Sequence, residues 1–148
     1  MARFDFRLEK LLGVKQQLEN QKEIEYATAL MVVQEEKRRL SELVDSRLRS
    51  VEELRAAVSK TIEPIDVGRL NNNIKRLNHM IEAQKERLKA AEHMAEEKRL
   101  ELVEAMKERK ALEIVKENAF EVFKKEEDIK ERKITDELTS FKYSLNLR

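Results

Sequence analysis

Apolar positions in the first half of the chain step by threes and fours, through Phe4, Leu8, Leu11, Lys15, Leu18 and Lys22, then Tyr26, Leu30, Val33, Lys37, Leu40, Val44, Arg47, Val51, Leu54 and Val58. A second series is more regular: Val67, Leu70, Ile74, Leu77, Ile81, Gln84, Leu88, Ala91, Ala95, Lys98, Leu102, Ala105, Arg109 and Leu112. Alternating steps of three and four are the spacing of a seam between two helices, where each side chain inserts among four residues of its partner. The steps of four on both sides of Lys22 and Tyr26 form a stutter that relaxes the supercoil. Where Lys, Arg or Gln takes a seam position, its methylene stem lies along the groove while its polar end reaches water.

Between the two series stands Pro64, the one proline among 148 residues. Proline removes a backbone donor and pushes the preceding residue out of the helical region, so the chain reverses here. The pattern predicts an all-α, single-domain antiparallel two-helix coiled coil over residues 1–148. Its parts are helix 1 over about 4–60, a turn over about 61–66, helix 2 over about 67–141, and an overhanging C-terminal tail. Asp66 is expected to accept from the free amides that start the second helix. Pairing Val58 with about Leu70 puts Leu8 opposite about Phe120, so the first helix runs out near Glu126. Leu138, Phe141 and Leu145 then have no first-helix partner. Gly13 interrupts helix 1 soon after its start, which predicts loose docking, or ordering on binding, for residues 1–12.

Composition narrows the function classes. Charged residues make up 41% of the chain and aromatics 5%, the usage of long helices rather than of a layered domain with a thick core. The formal net charge of +1 supplies no whole-protein field toward nucleic acid or anionic lipid. The basic run Lys37-Arg38-Arg39 is diluted by Glu35, Glu36 and Glu42, so a solvated face explains it better than phosphate contact. The chain lacks cysteine, which excludes disulfides and thiolate chemistry. The longest apolar run, Ala29 to Val33, is far short of the roughly 20 residues that span a bilayer, so no membrane insertion is expected. His79 and His93 lie fourteen residues apart, about 21 Å along one helix, too far for one metal. No catalytic constellation, cofactor site or metal site is expected, and the chain reads as a non-enzyme. Met31, Met80, Met94 and Met106 read as gap fillers on or beside the seam.

Several segments carry a resemblance to a known family. Phe4-Asp-Phe-Arg-Leu-Glu-Lys-Leu-Leu12, Glu104-Ala-Met-Lys-Glu-Arg-Lys-Ala-Leu-Glu113, Phe123-Lys-Lys-Glu126 and Glu131-Arg-Lys-Ile-Thr-Asp-Glu137 resemble the two ends of the flagellar export protein FliJ family. The resemblance implies a cytoplasmic component of the flagellar type III export apparatus, with a coiled coil similar to the stalk of the rotary ATPase gamma subunit. It implies association with the hexameric export ATPase and with the cytosolic domain of the export gate, a part in handing over export chaperones, and a place at the cytoplasmic face of the inner membrane. Matching positions are Phe4, Phe6, Arg7, Leu8 and Leu11, then Lys110, Leu112, Glu113, Glu131, Lys133, Asp136 and Glu137.

Combining that pattern with the geometry predicts an ATPase-binding set of Arg3, Phe4, Phe6, Arg7, Lys10, Glu131, Lys133, Asp136, Glu137, Leu138 and Phe141. A gate-binding set of Leu43, His79 and Met80 follows from the apolar side chains beside the distal seam. On its own the chain is expected to be monomeric. A stalk of a different rotary ATPase, and a tether whose seam pairs between two chains, remain alternatives.

Overall fold

The computed structural model describes residues 2–60 and 63–146. Two helices account for nearly all of them: α1, Glu9–Ser59, and α2, Pro64–Asn146, of 51 and 83 residues. They pack antiparallel as a helical hairpin. Of the turn expected over 61–66, residues 61 and 62 lie outside the described residues, and 64–66 are helical. α2 begins at the proline because a fixed φ suits the first helical position and the missing N–H is one that would have no intrahelical partner anyway. The Glu63 carbonyl accepts from the amides of Asp66 and Val67 at 3.1 and 3.5 Å. Asp66 is therefore already inside the first turn rather than capping it from outside, and it lies 3.8 Å from Arg69.

The start of α1 also differs from expectation. Residues 2–6 are not helical, and the helix starts at Glu9, whose amide donates to the Phe6 carbonyl at 3.1 Å. Gly13 does not break it. A Cβ built on Gly13 would meet nothing within 4 Å, so the position is open helix surface.

Two compact units divide the chain, Gln21–Leu102 and Met1–Asn20 with Val103–Arg148. In the first, the register is written in cross-helix pairs: Ser50 with Asn73 at 3.1 Å, Arg47 with Asn78 at 3.2 Å, Glu25 with Lys98 at 3.5 Å and Lys22 with Glu101 at 3.1 Å. The buried Gln84 amide donates to the Glu36 carbonyl at 3.1 Å and also to the Glu36 carboxylate. Ala29, Val33, Ala91 and Ala95 form a small-residue core with Leu88 against it. Lys22, Lys98, Glu25 and Glu101 make a charged layer of the seam. Hydrogen bonds from Lys22 hold Glu101 and Glu25 below the usual carboxylate range.

Every α2 position assigned to the seam from the sequence is buried or half-buried. On α1 the seam is displaced by one residue at several levels. Leu12, Ala29 and Ala57 are buried where Leu11, Leu30 and Val58 were expected, and Val58 is 67% exposed. At Ala29 and Ala57 small side chains let the backbones approach, and closer approach favours the face carrying them over the bulkier neighbour. The same geometry leaves no gap for methionine. Met31, Met80, Met94 and Met106 are all exposed, against their expected role as fillers. Arg38 and Arg39 pair with Glu35, Glu36 and Glu42, so the basic run is a solvated face.

The antiparallel pairing has a direct chemical test. Cysteines at Ser50 and Asn73, whose side chains already meet at 3.1 Å, are expected to crosslink within one chain at high dilution. Non-reducing gels of the oxidised protein should show a faster-migrating monomer and no dimer, and reductant should restore the ordinary mobility.

Candidate partner-binding surfaces

In the unit Met1–Asn20 with Val103–Arg148 the N-terminal segment meets α2 at Phe120 and Phe123. Phe6 is buried within the non-helical N-terminal segment. The ring of Phe4 sits edge-on to Phe120 at 5.2 Å and tilted against Phe123 at 5.4 Å, while Phe120 and Phe123 stack at 6.5 Å. Lys124 places its ammonium 4.9 Å over the Phe120 ring. Such pairs add roughly 0.5–1.5 kcal/mol each beyond area burial, so residues 2–8 are docked rather than loose. Phe4 rather than Leu8 meets Phe120, a register about one helical turn away from the expected one.

Ion pairs reinforce this unit across the helices. Lys15 meets Glu108 at 2.9 Å, Lys116 meets Glu9 at 2.8 Å, and Arg109 joins Glu19 while its other nitrogen reaches Glu113 at 2.7 Å. Hydrogen bonds to Glu113 and Glu19 raise the guanidinium of Arg109 above its ordinary range. Arg3, Phe4, Asp5, Phe6, Glu9 and Lys116 surround a surface concavity of about 680 Å³.

Beyond Glu127 the cover ends. Each residue of Asp128–Asn146 is exposed, yet α2 continues through all of them, past the expected end near residue 141. Residues 147 and 148 of the expected tail lie outside the described residues. Ile134, Leu138, Phe141 and Leu145 are each more than half exposed and repeat by four, three and four, so the stripe keeps the spacing of a seam without a partner helix.

The expected ATPase-binding set thus falls into two groups. Arg3, Phe4, Phe6, Arg7 and Lys10 belong to the docked N-terminal segment and the first turn of α1. Glu131, Lys133, Asp136, Glu137, Leu138 and Phe141 stand on the bare overhang, beginning about 12 Å along the helix axis from Phe123. Phe120, Phe123, Lys116 and Lys124 complete the first group and were not assigned to it from the sequence. Two phenylalanines three apart on the face opposite Phe4 were the available signal. The gate-binding set lies on Gln21–Leu102. Leu43 is half-buried and so belongs to the seam, not beside it, while His79 and Met80 are exposed. All three lie between the levels of the Arg47–Asn78 and Glu36–Gln84 pairs. Among the described residues there is no group of three or more His, Cys, Asp or Glu that could hold a metal ion. No helix among them is long and apolar enough to cross a membrane.

Comparison with known proteins agrees with this architecture. The sequence profile of the flagellar FliJ protein matches residues 4–148. The chain belongs to the FliJ family. With that membership it is a component of the flagellar type III export apparatus, from a family of non-enzymatic protein-transport factors. No curated protein sequence matches. The solved structure of the Chlamydia trachomatis protein CT670, described as a homolog of YscO, is similar with a TM-score of 0.59 and 21% identity, covering 99% of this chain and 98% of that one. At that identity the likeness speaks for the fold, and it extends over nearly the whole of both chains.

Proposed function

We propose that this FliJ-family chain engages the hexameric export ATPase through its terminal end, in the manner of a rotary stalk. It links that ring to the cytosolic domain of the export gate and assists the handover of export chaperones, which holds it at the cytoplasmic face of the inner membrane. The observation that carries the reading is the bare overhang of α2, a helix with a seam-spaced apolar stripe and no partner. Stripes of this kind mark contact sites in proteins that otherwise cover their apolar surface. Lys133 stands there among Glu131, Asp136 and Glu137, and Arg3, Arg7 and Lys10 add positive charge on the docked N-terminal segment and first turn of α1, charges that orient entry into a ring and set its rate more than its strength. Gate contact is assigned to the level of Leu43, His79 and Met80, with Met80 the apolar group free to touch a partner.

Deletion of residues 138–148 tests the ring contact. These side chains cover nothing among the described residues, so the thermal melt of the truncated chain is expected to stay nearly unchanged while ATPase stimulation and ring assembly fall. The reversals Arg7→Glu and Lys133→Glu are expected to weaken stimulation further at low salt, where charges are least screened. Undiminished stimulation by the truncated chain would remove the terminal end as the ring-engaging surface.

A further inference from the structure

We infer that the overhang of α2 pairs in parallel with the overhang of a second copy of this chain, over residues 134–146. This does not rest on the ring reading, and it departs from the expectation of a strictly monomeric protein. The seam itself stays closed within each chain.

In the heptad frame set by their spacing, Leu138 and Leu145 take the a positions and Ile134 and Phe141 the d positions. Glu137 then falls at g and Lys142 at e. In a parallel pair the g residue of one helix faces the e residue five positions further along the other, so Glu137 of each copy meets Lys142 of the other, twice by symmetry. Within its own helix Lys142 has no such neighbour. Three and four residues away stand Leu138, Thr139, Leu145 and Asn146, so no acid reaches it by helical spacing. An antiparallel pair sets e against e and g against g, which brings Lys142 to Thr135 and Glu137 to Ser144 and satisfies neither charge. The frame also limits the contact. Glu131 falls at a and Glu127 at d, where a second copy would place like charges together, and pairing stops short of them.

A contact this short belongs to the small, weak class of interfaces. It costs little ordering, because α2 is already helical to Asn146. It also covers Leu138 and Phe141, so a paired chain cannot offer them to another partner.

Sedimentation of the full chain alone, from about 10 µM to about 1 mM at low salt, is expected to show a reversible monomer–dimer equilibrium, as suits a weak interface. The double variant Leu138→Asp, Phe141→Asp is expected to remain monomeric throughout, with circular dichroism confirming its helices. Glu137→Lys is expected to weaken the dimer about tenfold by setting like charges at both g–e contacts, and adding Lys142→Glu is expected to restore it. A chain that stays monomeric at the highest concentration overturns the proposal. So does a dimer indifferent to Glu137→Lys, which would point to non-specific or antiparallel association, or a charge swap that fails to restore pairing.

Discussion

Replacing Ile81 with alanine is expected to lower the stability of the hairpin by about 3 kcal/mol, within the roughly 2–5 kcal/mol range for removing a buried branched side chain. Ile81 is 1% exposed, the largest side chain so completely enclosed. It lies between the Glu36–Gln84 and Arg47–Asn78 pairs, where α1 contributes half-buried Leu40 and Leu43. A two-helix seam is only one layer thick, so few neighbours can move in to fill the space left by three carbons. Denaturant unfolding followed by circular dichroism reads the effect as a lower midpoint at unchanged slope. A loss under about 1 kcal/mol would mean that the site collapses freely and that the seam is looser than its burial indicates.

The opposite change, Ala95→Leu, is expected to cost about 1–3 kcal/mol by overpacking. Ala95 is buried with Ala29, Val33 and Ala91 in a core that exists because those side chains are small. A leucine there must push the helices apart or leave its rotamer, and either change strains the Glu25–Lys98 contact one turn away. The control is Ala90→Leu, five residues back on the exposed face of the same helix, where the change is expected to stay within about 0.5 kcal/mol. Equal stability of the two variants would show that the helices are not held at a separation set by small residues. The pair of substitutions therefore tests the one-residue displacement of the α1 seam as well as the core.

That displacement shows where the pattern stops being readable. On α2 the apolar repeat and the buried face coincide through Leu112, even where Met80, Met94 and Met106 stand beside Ile81, Ala95 and Ala105. On α1 adjacent positions compete: Leu11 with Leu12, Leu30 with Ala29, Val58 with Ala57. Hydrophobicity favours the larger residue or leaves the choice open, whereas the partner helix decides by how near it comes. The same reasoning covers the four exposed methionines, whose long side chains do not fit between closely approaching backbones. Half of the terminal surface was legible. The unpartnered Leu138, Phe141 and Leu145 follow from counting residues on either side of Pro64, while the Phe4–Phe120–Phe123 cluster depends on a register that shifted by about a turn.

By itself the amino-acid sequence determined that this protein is two helices folded back at one break, because periodicity and a single proline are local properties that hold whatever the helices meet. It also determined that α2 outruns its partner, since the arithmetic of chain length is indifferent to small errors of register. Only the tertiary structure decided which α1 residues face the seam, that residues 2–8 leave the helix to dock on aromatic rings, and that α2 stays helical to Asn146. The first two choices turn on the distance between two backbones, a quantity fixed by side chains far apart in sequence acting together, whereas the end of α2 lies where no second helix packs.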